Sequence, residues 1–291
     1  MKQMIRLGLP AFKDHHFQQG YEALQQFGTF APAGVSRLIL GLAKMGLGRG
    51  RLKLLFSQLW NQINGDKPVD LIYQNLKLRL QPRQNTIESK IMFSAKQREG
   101  AELALIKRHL ADGGVFVDIG SNIGYYALNV ALMSADKVIA IEPNPSVLAR
   151  LRDNIALNDL QSKITVHDVA IGAATGIAHL TISDNDFGSS SIVNQRVGKT
   201  HIDVEVLPLV EILNINDIAR ADVIKIDIEG MEDRALFPYF ENIAKAQYPK
   251  LIVMEDGINE QWERDILSWL LANGYHAAAR TRGNIMLERN G

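Results

Sequence analysis

The chain has no cysteine in 291 residues, which excludes a disulfide framework and any thiolate metal site. It also lacks net charge, since 32 Lys and Arg balance 32 Asp and Glu. Nothing global therefore points to nucleic acid. No stretch reaches the roughly 18 uninterrupted apolar residues of a membrane span. The N-terminus, MKQMIRLGLPAFKDHH, puts charge and histidine where a secretory signal needs an apolar core. Internal repeats and low-complexity tracts are missing too. These absences lead us to expect a soluble, cytoplasmic protein. The 46% of hydrophobic residues is enough for one large domain, or a medium one with an extension.

Charge is unevenly placed. Residues 1 to 60 hold eight Lys and Arg against Asp14 and Glu22, so the rest of the chain is acidic by the same surplus. Within this basic part, residues 35 to 60 (VSRLILGLAKMGLGRGRLKLLFSQLW) mix leucines with arginine and lysine. Two readings fit: an amphipathic helix on an acidic membrane surface, or a helical extension packed on the rest of the protein. Gly46, Gly48 and Gly50 would each cost a long helix about 1 kcal/mol, which favours the packed extension. VDLIYQNLKLRLQP, from Val69, reads as a small hairpin turning at Asn75. Residues 1 to 84 are thus expected to form a basic helical extension with a hairpin, and residues 85 to 291 the main domain.

From Glu99 onward the pattern alternates. EGAELALIKRHL has helical spacing and stops at Gly113-Gly114. Strands VFVDIG, KVIAIEP, KITVHDVAIG, ADVIKIDIEG and KLIVMED alternate with helices, and YHAAARTR with NIMLER close the chain around Arg282-Gly283. That order predicts an α/β fold, a mostly parallel sheet covered on both faces, with an antiparallel edge hairpin. Ligands of such sheets bind at the carboxyl ends of the strands.

In FVDIGSNIGYYAL (Phe116 to Leu128) a strand ends in an acid, followed by two glycines four apart. A dinucleotide site wants G-x-G-x-x-G, but Asn122 stands at the second glycine position and no pyrophosphate cradle is evident. S-adenosylmethionine (SAM) has no phosphate. It needs a tight turn beneath its amino acid part and a carboxylate for the ribose hydroxyls. Asp118, Gly120, Ser121, Asn122 and Gly124 form the candidate turn, and Glu142-Pro143 ends the next strand where a ribose would lie. Asp168, late in the third strand, could accept from the adenine amino group. Its neighbour His167 reads as a packed or solvated histidine. A plain strand-to-helix turn remains the alternative for the glycines.

VIKIDIEGMEDRAL (Val223 to Leu236) is the second informative stretch. A central parallel strand should be apolar on both faces, yet Lys225, Asp227 and Glu229 alternate with isoleucines. Buried unpaired, each charge would cost several kcal/mol, so they pair with one another or reach a solvated site. Asp227, Glu229 and Glu232 are candidates for orienting an acceptor hydroxyl or taking its proton, with Lys225 fixing the carboxylates. The same acids would also suit Mg²⁺, though no metal is assigned. The structural alternative for the two glutamates is favourable charge at a helix N-terminus, and for Lys225 an internal ion pair. The polar segment SDNDFGSSSIVNQRVGKT (Ser183 to Thr200) reads as a lid on the substrate side, with a plain flexible insertion as the alternative.

Taken in order, FVDIGSNIGYYAL, IAIEPNPSVLARLRDNIALN, VAIG and IKIDIEGMEDRAL resemble the FkbM family of SAM-dependent methyltransferases over roughly residues 85 to 280. The resemblance implies a Rossmann-like class I methyltransferase fold and O-methylation of a hydroxyl on a small molecule, sugar or glycan. Two other classes stay open: a nicotinamide-dependent oxidoreductase, and a non-catalytic interaction protein of the same fold. Residues 1 to 65 lie outside the resemblance. Peripheral membrane contact through residues 35 to 60 is the partner expectation there.

Overall fold

The structure is a computed structural model that describes residues 25–47, 50–83, 85–93, 99–183, 186–191, 200–257 and 259–290. Helix α1 (Gly34–Leu42) runs into a π-helical turn, Ala43–Leu47, in which Gly46 takes a φ of 101°. Helix α2 (Gly50–Asn64) follows. The helix expected across residues 35 to 60 is therefore interrupted, because Gly46 adopts a left-handed backbone that a helix cannot contain. Strands β1 (Val69–Tyr73) and β2 (Leu76–Leu80) form the expected antiparallel hairpin.

Helices α3 (Thr86–Phe93) and α4 (Gly100–His109) lead into β3 (Val115–Ile119), α5 (Tyr125–Leu132), β4 (Lys137–Ile141), α6 (Pro145–Leu157) and β5 (Ile164–His167). Then come β6 (Ala170–Ile171), β7 (Gly176–Ser183), β8 (Asp186–Ser191), β9 (Thr200–Leu207), α7 (Leu209–Ile215), β10 (Val223–Ile226) and α8 (Glu232–Glu241). The chain continues through β11 (Leu251–Glu255), α9 (Ile266–Ala272), β12 (Tyr275–Arg280) and β13 (Asn284–Arg289).

The main sheet has the order β12, β13, β11, β10, β3, β4, β5. Its last five strands in that order run parallel, and β13 pairs antiparallel with both β11 and β12. This is the expected Rossmann-like α/β architecture with its antiparallel edge. From β3 the chain moves outward through β4 and β5, then returns to β10 on the other side. The switch point lies between β3 and β10, where doubly wound sheets open a crevice at their strand ends.

Two expectations need correction. KITVHDVAIG is not one strand: it breaks at Asp168 into β5 and β6, and β6 joins a second sheet of order β6, β9, β7, β8. Part of the supposed lid is strand β8, whose backbone pairs with β7, so that part is sheet rather than a free loop. Residues 184–185 and 192–199 of the segment lie outside the described residues.

Alternation along β3 divides the core. Phe116 faces a cluster that takes in Ile39 and Trp60 from the N-terminal helices, Leu71 and Leu78 from the hairpin, and Leu128 and Leu151 from α5 and α6. Val117 and Ile119 face the opposite layer, with Ile212, Leu236 and Leu270 of α7, α8 and α9. The N-terminal helices thus share a core with the main domain, as the packed-extension reading required. The β2 edge is also closed by α6. Asn154 and Asn158, one helical turn apart, accept from the N–H groups of Arg79 (2.8 Å) and Lys77 (2.9 Å), and Asn158 donates to the Lys77 carbonyl (2.7 Å).

Candidate active site

At the end of β3 the chain turns sharply and is stitched to β4. The N–H groups of Gly120 and Ser121 both donate to the Ile141 carbonyl, each at 3.0 Å. Ser121 Oγ donates to the Asp118 carbonyl (2.7 Å) and accepts from the Ile141 N–H (2.9 Å). Gly120 has a φ of 77°, and a Cβ on it would sit 2.0 Å from the backbone oxygen of Asp227. No side chain fits there, because the end of β10 passes directly beneath. Gly124 opens α5 at a φ of 89°. Asn122 takes a φ of 50°, a left-handed conformation that Asn tolerates better than most residues. Its Oδ1 accepts from the side-chain amide of buried Asn85 (3.0 Å), which ties the turn to the start of α3.

Two carboxyl groups lie beneath this turn. Glu142 is 7% exposed, and its oxygens accept from the N–H groups of Asn122 (2.9 Å) and Asn144 (2.9 Å). Burial nevertheless pushes its carboxyl up to about 7, with those two donors opposing and the charges of Asp118 and Asp227 adding to the rise. Asp118 accepts from the Ala127 N–H (3.0 Å) through Oδ2, while its buried Oδ1 has no partner among the described residues. Burial lifts Asp118 to about 6 against the pull of Lys225. Pro143 follows Glu142 and leads to Asn144, whose side chain caps α6 by accepting from the Ser146 N–H (3.1 Å). Asp168, at the carboxyl end of β5, is solvent-facing and 3.8 Å from the Arg152 guanidinium. Half-buried His167 accepts from the Asn216 amide (2.8 Å), and burial lowers its pKa, in keeping with a packed histidine.

Across the switch point, Lys225 lies beside Asp118 in the β3–β10 register. It is 3% exposed, donates to Asp227 Oδ2 (2.9 Å) and sits 5.2 Å above the Tyr126 ring. Burial works against its charge, but Asp227 and Asp118 outweigh that and raise its pKa. Asp227 is half-buried. Desolvation pushes its carboxyl up, yet Lys225 and a hydrogen bond from Glu255 bring it below the ordinary value. Glu255 ends β11, the strand next to β10, and is pushed up to about 8 by burial and by the charges of Asp227 and Glu229. The two carboxyls thus titrate as a coupled pair, Asp227 held below and Glu255 above the ordinary carboxyl range. Glu229 follows in the loop at a φ of 56°, partly exposed.

Glu232 does not join this group. Its fully buried carboxylate accepts from the N–H groups of Ile228 (3.0 Å) and Gly230 (3.3 Å) and from the Trp262 indole (2.8 Å). With three donors in place it braces the loop ahead of α8, which favours the structural alternative for Glu232. Among the described residues, no group of three or more acids and histidines is arranged to hold a metal ion.

The Methyltransferase FkbM domain model matches residues 118–277, more than half of the chain. The chain belongs to this family. Among curated relatives it is similar to a ribosomal protein L11 methyltransferase of Carboxydothermus hydrogenoformans, with 36% identity over 64 residues, 22% of this chain and 21% of that protein. It is also similar to methyltransferase sdnD of Sordaria araneosa, with 26% identity over 154 residues, 43% of this chain and 60% of that one. The chain thus spans less than two thirds of the length of these relatives. A crystal structure of a methyltransferase FkbM from Methylobacillus flagellatus KT aligns with 16% identity and a TM-score of 0.43, covering 83% of this chain and 71% of that one.

The FkbM domain match begins at Asp118 and takes in the turn, Glu142 and the β10 end, so both halves of the candidate site fall inside it. Family membership sets aside the nicotinamide reading. The sequence reading missed Glu255, Asn85 and Tyr126. For Glu255 the available signal was an acid at the carboxyl end of LIVME, a strand of the same apolar type as β10. For Asn85 it was an Asn just before a helical run, the usual helix cap.

Proposed function

We propose that this FkbM domain transfers a methyl group from SAM to a hydroxyl of a sugar, glycan or related natural product. One observation carries the reading. The turn after β3 touches the end of β10 through Gly120 and Asp227, so a donor held at the turn adjoins the Lys225, Asp227 and Glu255 group. The residues suit SAM. The unpartnered Asp118 Oδ1 beneath the turn suits the neighbourhood of a cationic amino acid part. Glu142 keeps a second lone pair on each oxygen for two ribose hydroxyls. Asp168 lies at the next strand end, the adenine side.

Bound SAM would supply an electrophilic methyl carbon on a sulfonium sulfur. The residues of this chain would do the rest: orient the acceptor and take its proton. Placement in line supplies much of the rate. The acceptor hydroxyl would lose its proton to the Asp227–Glu255 pair as its oxygen takes the methyl carbon from sulfur, the S–C bond breaking to leave neutral S-adenosylhomocysteine. Lys225 keeps Asp227 ionised, and Glu255, titrating near 8, is the stronger base once it is free. Glu229 lines the acceptor side of the same loop.

Calorimetric titration with SAM, followed by mass spectrometry of hydroxylated acceptors incubated with protein and SAM, tests the proposal. A methyl mass gain on an alcohol oxygen is expected. Transfer only to nitrogen, as on a nucleobase, would overturn the hydroxyl assignment, and absence of SAM binding would overturn the whole reading.

A further inference from the structure

Among the described residues fourteen large apolar side chains are exposed, and nine of them fall between Val35 and Ile63. On α1, Val35 and Leu38 are 59% and 62% exposed, and Met45, in the π-helical turn, is 81% exposed. On α2, Leu52, Leu55, Leu59 and Ile63 recur at helical spacing and form one stripe, 37% to 49% exposed. Phe56 and Trp60 form the adjoining stripe and are buried against the core. The apolar arc of α2 is therefore about twice as wide as packing onto this protein requires. Soluble monomers rarely leave an apolar stripe of this length open unless something covers it.

Charge identifies the covering chemistry. Between Gly34 and Asn64 there is no Asp or Glu, while Arg37, Lys44, Arg49, Arg51 and Lys53 all fall there. Arg37 and Lys44 are exposed beside the apolar residues. A protein partner matched only to the leucines would not need Arg37 and Lys44 exposed among them with no anion nearby in the sequence. A layer of apolar chains under anionic headgroups satisfies both.

We propose that the face formed by α1, the π-helical turn and α2 docks on an anionic lipid surface, burying Leu38, Met45 and Leu55 while Arg37 and Lys44 meet the headgroups. The packing of Ile39, Phe56 and Trp60 into the shared core makes the rest of the protein a rigid rider on that face. This goes beyond the methyltransferase reading and stands without it.

Co-sedimentation of the full chain with vesicles of mixed phosphatidylglycerol and phosphatidylcholine, compared with phosphatidylcholine alone, tests it. Binding is expected only to the anionic vesicles and should weaken as salt is raised. Each cation near such a surface is worth about fivefold, so Arg37→Gln with Lys44→Gln should weaken binding about 25-fold. Leu38→Gln with Leu55→Gln should weaken it at least about tenfold. Both pairs lie at exposed positions, and an unchanged melting temperature verifies the fold. Equal binding to both kinds of vesicle, no binding, or binding unaffected by either pair would overturn the proposal. So would a dimer in sedimentation equilibrium that the leucine pair dissociates, because a second copy would then be the cover.

Discussion

If Glu142 receives the ribose hydroxyls, cofactor affinity must follow its ionisation. In the ligand-free protein its carboxyl titrates near 7, so it is about 9% ionised at pH 6 and about 76% at pH 7.5. A protonated carboxyl cannot accept from both hydroxyls while also serving the Asn122 and Asn144 amides. Affinity should therefore rise about eightfold between those two pH values. Asp118, titrating near 6, adds at most about twofold over the same range. Stopping at pH 7.5 keeps the amino group of the ligand mostly protonated, since such groups titrate at about 7.7 to 8. Substituting Glu142 is a poor test: a glutamine would turn its NH₂ toward one of two backbone N–H donors and disturb the turn. The cleaner perturbation changes the ligand. Calorimetric titration of the unaltered protein with S-adenosylhomocysteine should show the eightfold slope, and the analogue lacking both ribose hydroxyls should show only the contribution of Asp118. A flat profile for the first ligand, or equal slopes for the two, would refute the assignment.

Asp118 and Glu142 also contribute to the pH dependence of ligand-free stability. Their folded pKa values lie above the ordinary 3.8 and 4.5, so the stabilising contribution of their protonated forms is complete below about pH 4 and is lost as pH rises through about 6 and 7. The loss is on the order of 3 kcal/mol for each, and the urea midpoint should be lower at pH 8 than at pH 5; an equal or higher midpoint at pH 8 contradicts the burial argument. Asp227→Asn should lower turnover by about 10² to 10⁴ with SAM affinity within a few fold, and steady-state kinetics beside calorimetry separate the two effects. Glu255→Gln should remove a rise in turnover through about pH 8, and a profile identical to wild type would exclude it as the base. Glu232→Ala strands three donors and should cost about 2 to 4 kcal/mol in denaturant unfolding with near-normal turnover per folded molecule. A large loss of turnover at unchanged stability would return Glu232 to the chemistry.

The parts that were legible in the sequence share a physical cause. VFVDI and KVIAI are apolar on both faces, as buried parallel strands must be, and acids at their ends stand out against that background. The second sheet was harder to see because DFGSSS carries no apolar alternation, and its strand identity comes from the backbone pairing with β7. The break at Asp168 was hidden because VHDVAIG reads as one β-rich run, whereas β5 and β6 enter different sheets. Glu255 needed the β10–β11 register before it could be matched with Asp227. For Glu232 both readings stayed open, because position along a helix does not tell whether a first-turn acid faces a cleft or folds back onto its own loop. The two halves of the N-terminal face were readable as leucine and lysine patterns, but only burial revealed that α2 uses one apolar stripe internally and leaves the next exposed.

The contact between Gly120 and the Asp227 carbonyl fixes a length that side-chain substitution does not easily alter. The turn after β3 and the end of β10 meet backbone to backbone, so their separation is set by the spacing of adjacent strands rather than by rotamers. On the proposed function, substitutions in the loop after β10 would alter the fit to the acceptor without changing that separation. Gly120 works as a fixed gauge: any larger residue would push the two loops apart and change the spacing at the strand ends.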